Sequence, residues 1–235
     1  MNDWDQIKQI AIVEADDFQD RYDRNGLNFL FYWKTKYPNF KITLFTIPDR
    51  TSPELLKLMA VNQDWIELAV HGFNHESNFE CYSWSYEKAR ALMERVEKMS
   101  RSVVSARGKM YKNIFKAPGW TITHKYNGYP AGEQLPIASD PQGVYRALLD
   151  MNYIIFDRHY NVPGRPQHNA NNIVCVDCQS KLVHMHTWDM ETGDKNGRNG
   201  FRQVEEEHGV PWNRDTEFYF ISEAFEKGLF DPCKQ

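Results

Sequence analysis

Cysteine is scarce: Cys81, Cys175, Cys178 and Cys233 are the only four in 235 residues, too few for a disulfide scaffold. A basic excess is also missing. Lysine and arginine number 28 against 32 acidic residues, a net charge of −4, which argues against a protein that tracks nucleic-acid phosphates. No apolar run approaches the roughly 18–20 residues that a membrane span requires. The opening stretch MNDWDQIKQIAIV carries acidic residues where a secretory signal would carry basic ones, so the expected location is cytoplasmic. No glycine-rich fingerprint follows the first apolar segment, which counts against a dinucleotide-binding fold. Internal repeats and low-complexity linkers are absent too, and residues 1–235 read as one domain.

What is present is an alternation of short apolar runs and amphipathic stretches. Runs at 10–15, 41–47, 65–70, 113–117, 153–157, 173–176 and 181–186 read as strands. Segments at about 20–36, from Ser52-Pro53, at 85–104 and at 141–151 read as helices. Ser52 as N-cap with proline at the first helical position is a strong start signal. This order predicts an α/β fold with parallel pairing by right-handed crossovers. About seven such units point to a distorted, incomplete (β/α) barrel.

The polar residues collect at strand ends. Asp16 and Asp17 end the first strand, His71 and His75 follow the third, Lys116 to Trp120 end the fourth, and His184 and His186 end the last. In a parallel barrel these ends share one face, which is where active sites form. His71-Gly-Phe-Asn-His75 lets two imidazoles turn toward one point, because glycine permits a sharp bend. Two imidazoles and one carboxylate, Asp17 being the nearest, make a three-ligand site of the catalytic zinc type. Strand alternation would send Asp16 and Asp17 to opposite faces, so that they take different roles. His184 and His186, two apart, share a face. His184 reads equally well as a satisfied core histidine, and His186 lies nearer the strand end.

Glu14-Ala-Asp-Asp-Phe18, His71-x-x-x-His75, Lys116-Ala-Pro-Gly119 with Trp120, and Leu182-Val-His-Met-His186 resemble, in order and spacing, four motifs of the metal-dependent polysaccharide deacetylases, carbohydrate esterase family four. The resemblance implies hydrolysis of an N-acetyl group on a sugar or glycan in a distorted (β/α) barrel. It implies Asp16 as general base and Asp17, His71 and His75 as ligands of a divalent cation, zinc being the first expectation. His186 would be the acid that protonates the leaving amine, and the Gly119 amide would stabilise the oxyanion. Lys116 stands where the family has an arginine bracing the catalytic aspartate; it keeps the charge but not the planar fork. Glu14 and Phe18 also depart from the family pattern, and the fourth family motif has no clear equivalent, Asp157 being the nearest candidate. A carbohydrate-binding barrel without turnover, or a metal hydrolase of another amide or ester, is the competing reading.

Aromatic residues make up 14% of the chain, with seven tryptophans, and sugar sites favour aromatic platforms. Trp120 and Trp188 are the candidates for stacking on a substrate, with His184 beside them. Cys175-Val-Asp-Cys178 has metal-like and redox-like spacing, but a zinc site needs a second pair and a redox motif normally opens a helix, whereas this pair lies in a strand and turn, so packing is the favoured reading. The glycine-containing stretch 191–200 reads as a surface loop, and Glu205 to Glu207 as a solvated face. His124, His159, His168 and His208 have no evident partner.

Overall fold

A computed structural model of the chain describes residues 9–20, 23–103, 105, 108–120, 122, 140, 142–158, 172–187 and 212–232. Its strands are β1 (Ile10–Phe18), β2 (Ile42–Thr46), β3 (Ile66–His71), β4 (Tyr111–Lys116), β5 (Ile154–Asp157), β6 (Ile173–Cys175), β7 (Leu182–His186) and β8 (Glu217–Tyr219). The helices are α1 (Asp23–Lys36), α2 (Pro53–Ala60), α3 (Tyr86–Arg101), α4 (Gly143–Asp150) and α5 (Ile221–Glu226). Ser52 caps α2 by accepting from the Leu55 amide, and Ser85 caps α3 by accepting from Lys88.

The sheet runs β6-β5-β4-β3-β2-β1-β7, every pair parallel, with β8 joined to the first residues of β1. It curls into the distorted, incomplete barrel that the alternation predicts. Among the described residues β6 and β7 do not pair, so the barrel is open there. The segment after α5 lies across this gap. Lys181 Nζ donates to the Leu229 carbonyl (3.1 Å), the Asp231 amide donates to Gln179 Oε1 (2.7 Å), and Phe230 stacks edge-on to Phe156.

Alternation along the strands divides the core in two. Outward residues such as Val13, Leu44, Leu68 and Phe115 pack under the helices. Inward residues Ile12, Phe45, Ala69, Ile114, Phe156 and Val174 fill the lumen, closed below by Ile221 and Ala224 of α5. β8 and α5 are not among the elements expected from the sequence. A three-residue strand and a six-residue helix are too short to show a hydrophobic period.

Above this apolar layer the inward positions turn polar: Glu14 and Asp16 on β1, His71 on β3, Lys116 on β4, His184 and His186 on β7. The register pairs Glu14 with His184 and Asp16 with His186, and pairs His71 with Lys116. Parallel strands present their carboxyl ends on one face, so this polar layer is the mouth of the barrel.

Candidate metal centre

Simple alternation would have turned Asp17 outward, but it does not apply at the end of β1. The β1–β2 register shifts between Ala15 and Phe18, and Asp17 has φ 65°, a left-handed value uncommon for a residue with a side chain. This bulge brings the Asp17 carboxylate to the mouth beside Asp16, which corrects the expectation that the two point apart. His71 Nε2 lies 3.9 Å from Asp16 Oδ2 and 3.5 Å from Asp17 Oδ1. His75 Nε2 lies 3.3 Å from that same Asp17 oxygen.

The second histidine is placed by its loop. Gly72 (φ 61°) and His75 (φ 48°) both take left-handed backbone, so the chain folds back after β3. The buried carboxylate of Glu80 sits inside this loop and accepts the amides of Phe73 (2.5 Å), Asn74 (3.2 Å) and His75 (2.7 Å). A Cβ at residue 72 would fall 1.8 Å from Glu80 Oε1, so only glycine fits there. Arg50 ties the far side by donating to the His75 carbonyl (2.9 Å).

His71 is 2% exposed, and its Nδ1 is 3.1 Å from the Lys116 carbonyl oxygen. A carbonyl only accepts, so Nδ1 carries the proton. Burial outweighs the Asp16 and Asp17 charges and lowers the His71 pKa, which keeps the ring neutral. The Nε2 lone pair therefore faces two carboxylates, an arrangement that is repulsive without a cation between them. Burial alone would raise the Asp17 carboxyl; the His75 hydrogen bond and the imidazoles of His71, His75 and His186 reverse this and hold it well below the usual range. Burial would likewise lower His75, but the Asp17 hydrogen bond and charge raise it.

These three donors fit a divalent cation. A tetrahedron with ligand distances of about 2.0–2.1 Å has edges of roughly 3.3–3.4 Å, and the two measured imidazole–carboxylate separations are 3.5 and 3.3 Å. All three donor atoms lie within 4.8 Å of one another. Asp16, His184 and His186 form a second set within the same limit. A cation there would compete with Lys116, whose ammonium already ion-pairs with Asp16 Oδ1.

Lys116 is 0% exposed and also contacts Glu14 Oε2 at 2.5 Å. Its ammonium lies 4.0 Å from the Phe45 ring centroid and 4.5 Å from that of Trp120. Glu14, itself 0% exposed, uses its other oxygen to bind His184 Nδ1 at 2.8 Å. Burial, with the Lys116 charge beside it, pushes the His184 pKa well below the usual imidazole value. Buried Glu14, Lys116 and Asp16 and the half-buried His184 are thus one network. His186 stands against His184, ring centroids 5.0 Å apart, and Thr187 donates its hydroxyl to the Asp16 carbonyl (3.0 Å).

The other expected site residues fall as follows. Gly119 (φ 58°) and Trp120 (φ 61°) form a left-handed turn after β4. The half-buried Trp120 ring covers Lys116, packs on His184 at 5.4 Å, and carries the Arg158 guanidinium 5.1 Å from its centroid. Asp157 accepts the Tyr145 hydroxyl (2.5 Å) and the Arg158 amide (2.8 Å) on the outward side of β5, away from the lumen. Trp188, the 191–200 loop, Glu205 to Glu207 and His124, His159, His168 and His208 lie outside the described residues. No sequence motif marks Glu80 or Arg158, and Glu14 stands out in the sequence only as a departure from the resembled pattern. Glu14 had a signal, two residues before Asp16 on the same strand face; Glu80 had none.

No family model matches the chain, and no curated protein matches it in sequence. Solved structures that share its fold over nearly its whole length include the following two. A family 4 acetyl xylan esterase from Clostridium thermocellum, solved with a cobalt ion, superposes with a TM-score of 0.54 at 12% identity, covering 95% of this chain and 93% of that one. The T48 deacetylase, solved with substrate, gives 0.51 at 15% identity, covering 96% and 94%. At these identities the likeness is one of fold.

Proposed function

We propose that this chain is a divergent, metal-dependent deacetylase of the carbohydrate esterase family four type, releasing acetate from an N-acetylated sugar or glycan. One observation carries the reading. A neutral, buried His71 aims its Nε2 lone pair at Asp17, with His75 on the same oxygen, at the edge lengths of a tetrahedral site. The sequence motifs and the two fold neighbours agree with it.

Asp17, His71 and His75 would hold the cation, with zinc the first to try. When bound, such a cation polarises an acyl carbonyl and acidifies water. Asp16, beside this donor set, accepts the proton of the attacking water. Lys116 holds the Asp16 carboxylate in place, with Glu14 behind it. The Gly119 amide is assigned to the oxyanion, and His186, at the end of β7, delivers the proton to the leaving nitrogen. Trp120, and Trp188 outside the described residues, are assigned to the sugar.

Zinc titration of metal-stripped protein tests the centre without a substrate. One tight site, lost in His75→Ala, is expected; no site, or one indifferent to His75, overturns the reading and favours a carbohydrate-binding barrel. Zinc-loaded enzyme should then release acetate from N-acetylated oligosaccharides. Asp16→Asn should keep the metal and lose at least about a hundredfold in turnover. A second reading, an ester substrate, is favoured by the esterase among the fold neighbours. Acetate from O-acetylated xylan alone would select it.

A further inference from the structure

The edge strand β6 ends in a pair of thiols that the proposed chemistry does not use. Cys175 closes the strand, and Cys178 closes the single 3-10 turn Val176–Cys178 that follows. Their Sγ atoms lie 3.4 Å apart. A disulfide needs about 2.05 Å between sulfurs, an approach of roughly 1.4 Å. The turn is well placed for such a movement, because β6 is the last strand of the sheet path and borders the opening before β7. Exposure sets an order of attack: Cys175 is buried and Cys178 is half-exposed. Cys178 is therefore the sulfur that an outside reagent meets first.

The pair also encloses Asp177, whose Oδ1 lies 3.4 Å from Arg158 Nε. The Arg158 guanidinium is 5.1 Å from the Trp120 ring centroid, and that ring is 4.5 Å from Lys116 Nζ. Three successive contacts thus join the thiol turn to the polar layer at the mouth of the barrel.

We propose that Cys175 and Cys178 form a reversible thiol–disulfide site for low-molecular-weight disulfides such as oxidised glutathione, and that its closure is transmitted to the Trp120 ring. The exchange balances in two steps. The Cys178 thiolate attacks one sulfur of the oxidant, forming a mixed disulfide and releasing one thiol. The Cys175 thiolate then attacks the Cys178 sulfur, closing the protein disulfide and releasing the second thiol. Two protein thiols lose two protons and two electrons, and the oxidant gains both.

Thiol counting on the full chain tests the first part. Reduced protein should show all four cysteines in denaturant, and two after oxidised glutathione. Peptide mapping should place the missing pair on one peptide spanning residues 175–178, about 2 Da lighter, and dithiothreitol should restore it. Cys178→Ser, and Cys178→Ala should the first fold poorly, must abolish the lighter peptide. Four persistent thiols, or a loss that maps to Cys81 or Cys233, overturns the proposal. For the second part, oxidation should shift the tryptophan fluorescence, and Trp120→Phe should remove that shift. No shift, or one that survives Trp120→Phe, overturns the transmission. Neither readout depends on the deacetylase reading, so the two can fail separately.

Discussion

Glu14 and Lys116 illustrate what single residues contribute here and how their cost is met. Both are fully buried, and taking two charges from water costs several kcal/mol per ion unless partners repay it. Lys116 is repaid by two carboxylates and two aromatic rings; Glu14 is repaid by Lys116 and His184. Lys116→Met leaves the carboxylates of Glu14 and Asp16 without their shared cation, and should cost about 3–5 kcal/mol. The double variant Glu14→Gln, Lys116→Met should recover at least half of that loss. Urea unfolding of the single and double variants measures it, and additive losses would mean that the two side chains do not act as a pair. Little of this was legible in the sequence. Lys116 could be read as a brace for Asp16, but Glu14 sits 102 residues away, on a strand that is not a sheet neighbour of β4. Their contact crosses the lumen, and the way a barrel curls is not written in strand periodicity.

At the scale of elements, the turns after β1 and β3 make the candidate site. The strand ends and their histidines were readable, because apolar runs stop where polar residues begin. The bulge at Asp17 was not, since a register shift depends on β2 as much as on β1. The loop of residues 72–75 is the clearer case, because its shape rests on Glu80, a residue that no spacing rule marks. Glu80 gathers three amides, so its two oxygens must both accept. In Glu80→Gln one of those oxygens becomes an NH₂ facing backbone donors, and the loop loses part of its hold on His75. Zinc affinity should weaken by about 10- to 100-fold, as for other supports of metal-bound histidines. Circular dichroism should show the fold retained. A folded Glu80→Gln protein that binds zinc as tightly as wild type would remove Glu80 from this role.

On the scale of the whole molecule, the barrel is built with a polar mouth and a base closed by its last helix. Glu67, inward on β3 at the base, accepts the Thr43 hydroxyl (2.9 Å), the Ser222 amide (3.2 Å) and the Ser222 hydroxyl. Thr43 in turn accepts the Ile221 amide (3.1 Å), so one carboxyl joins β2, β3 and α5. Burial outweighs the hydrogen bonds from Ser222 and Thr43 and raises the Glu67 pKa above its ordinary 4.5. The sign of the consequence follows from which state ionises first. As pH rises past 4.5 the unfolded chain gives up this proton while the folded chain keeps it. The unfolded state then binds fewer protons, so this group's contribution to stability falls with rising pH until the folded-state pKa is passed. Glu67→Gln keeps the shape and removes the titration. Relative to Glu67→Gln, wild type should therefore lose stability as pH rises from 4.5 through the folded-state pKa, and the difference should then level off. Urea midpoints of both proteins, taken across that range in the same buffers, give the difference directly. A gap that stays constant with pH would mean that Glu67 ionises alike in both states, and that the base of the barrel is open to water.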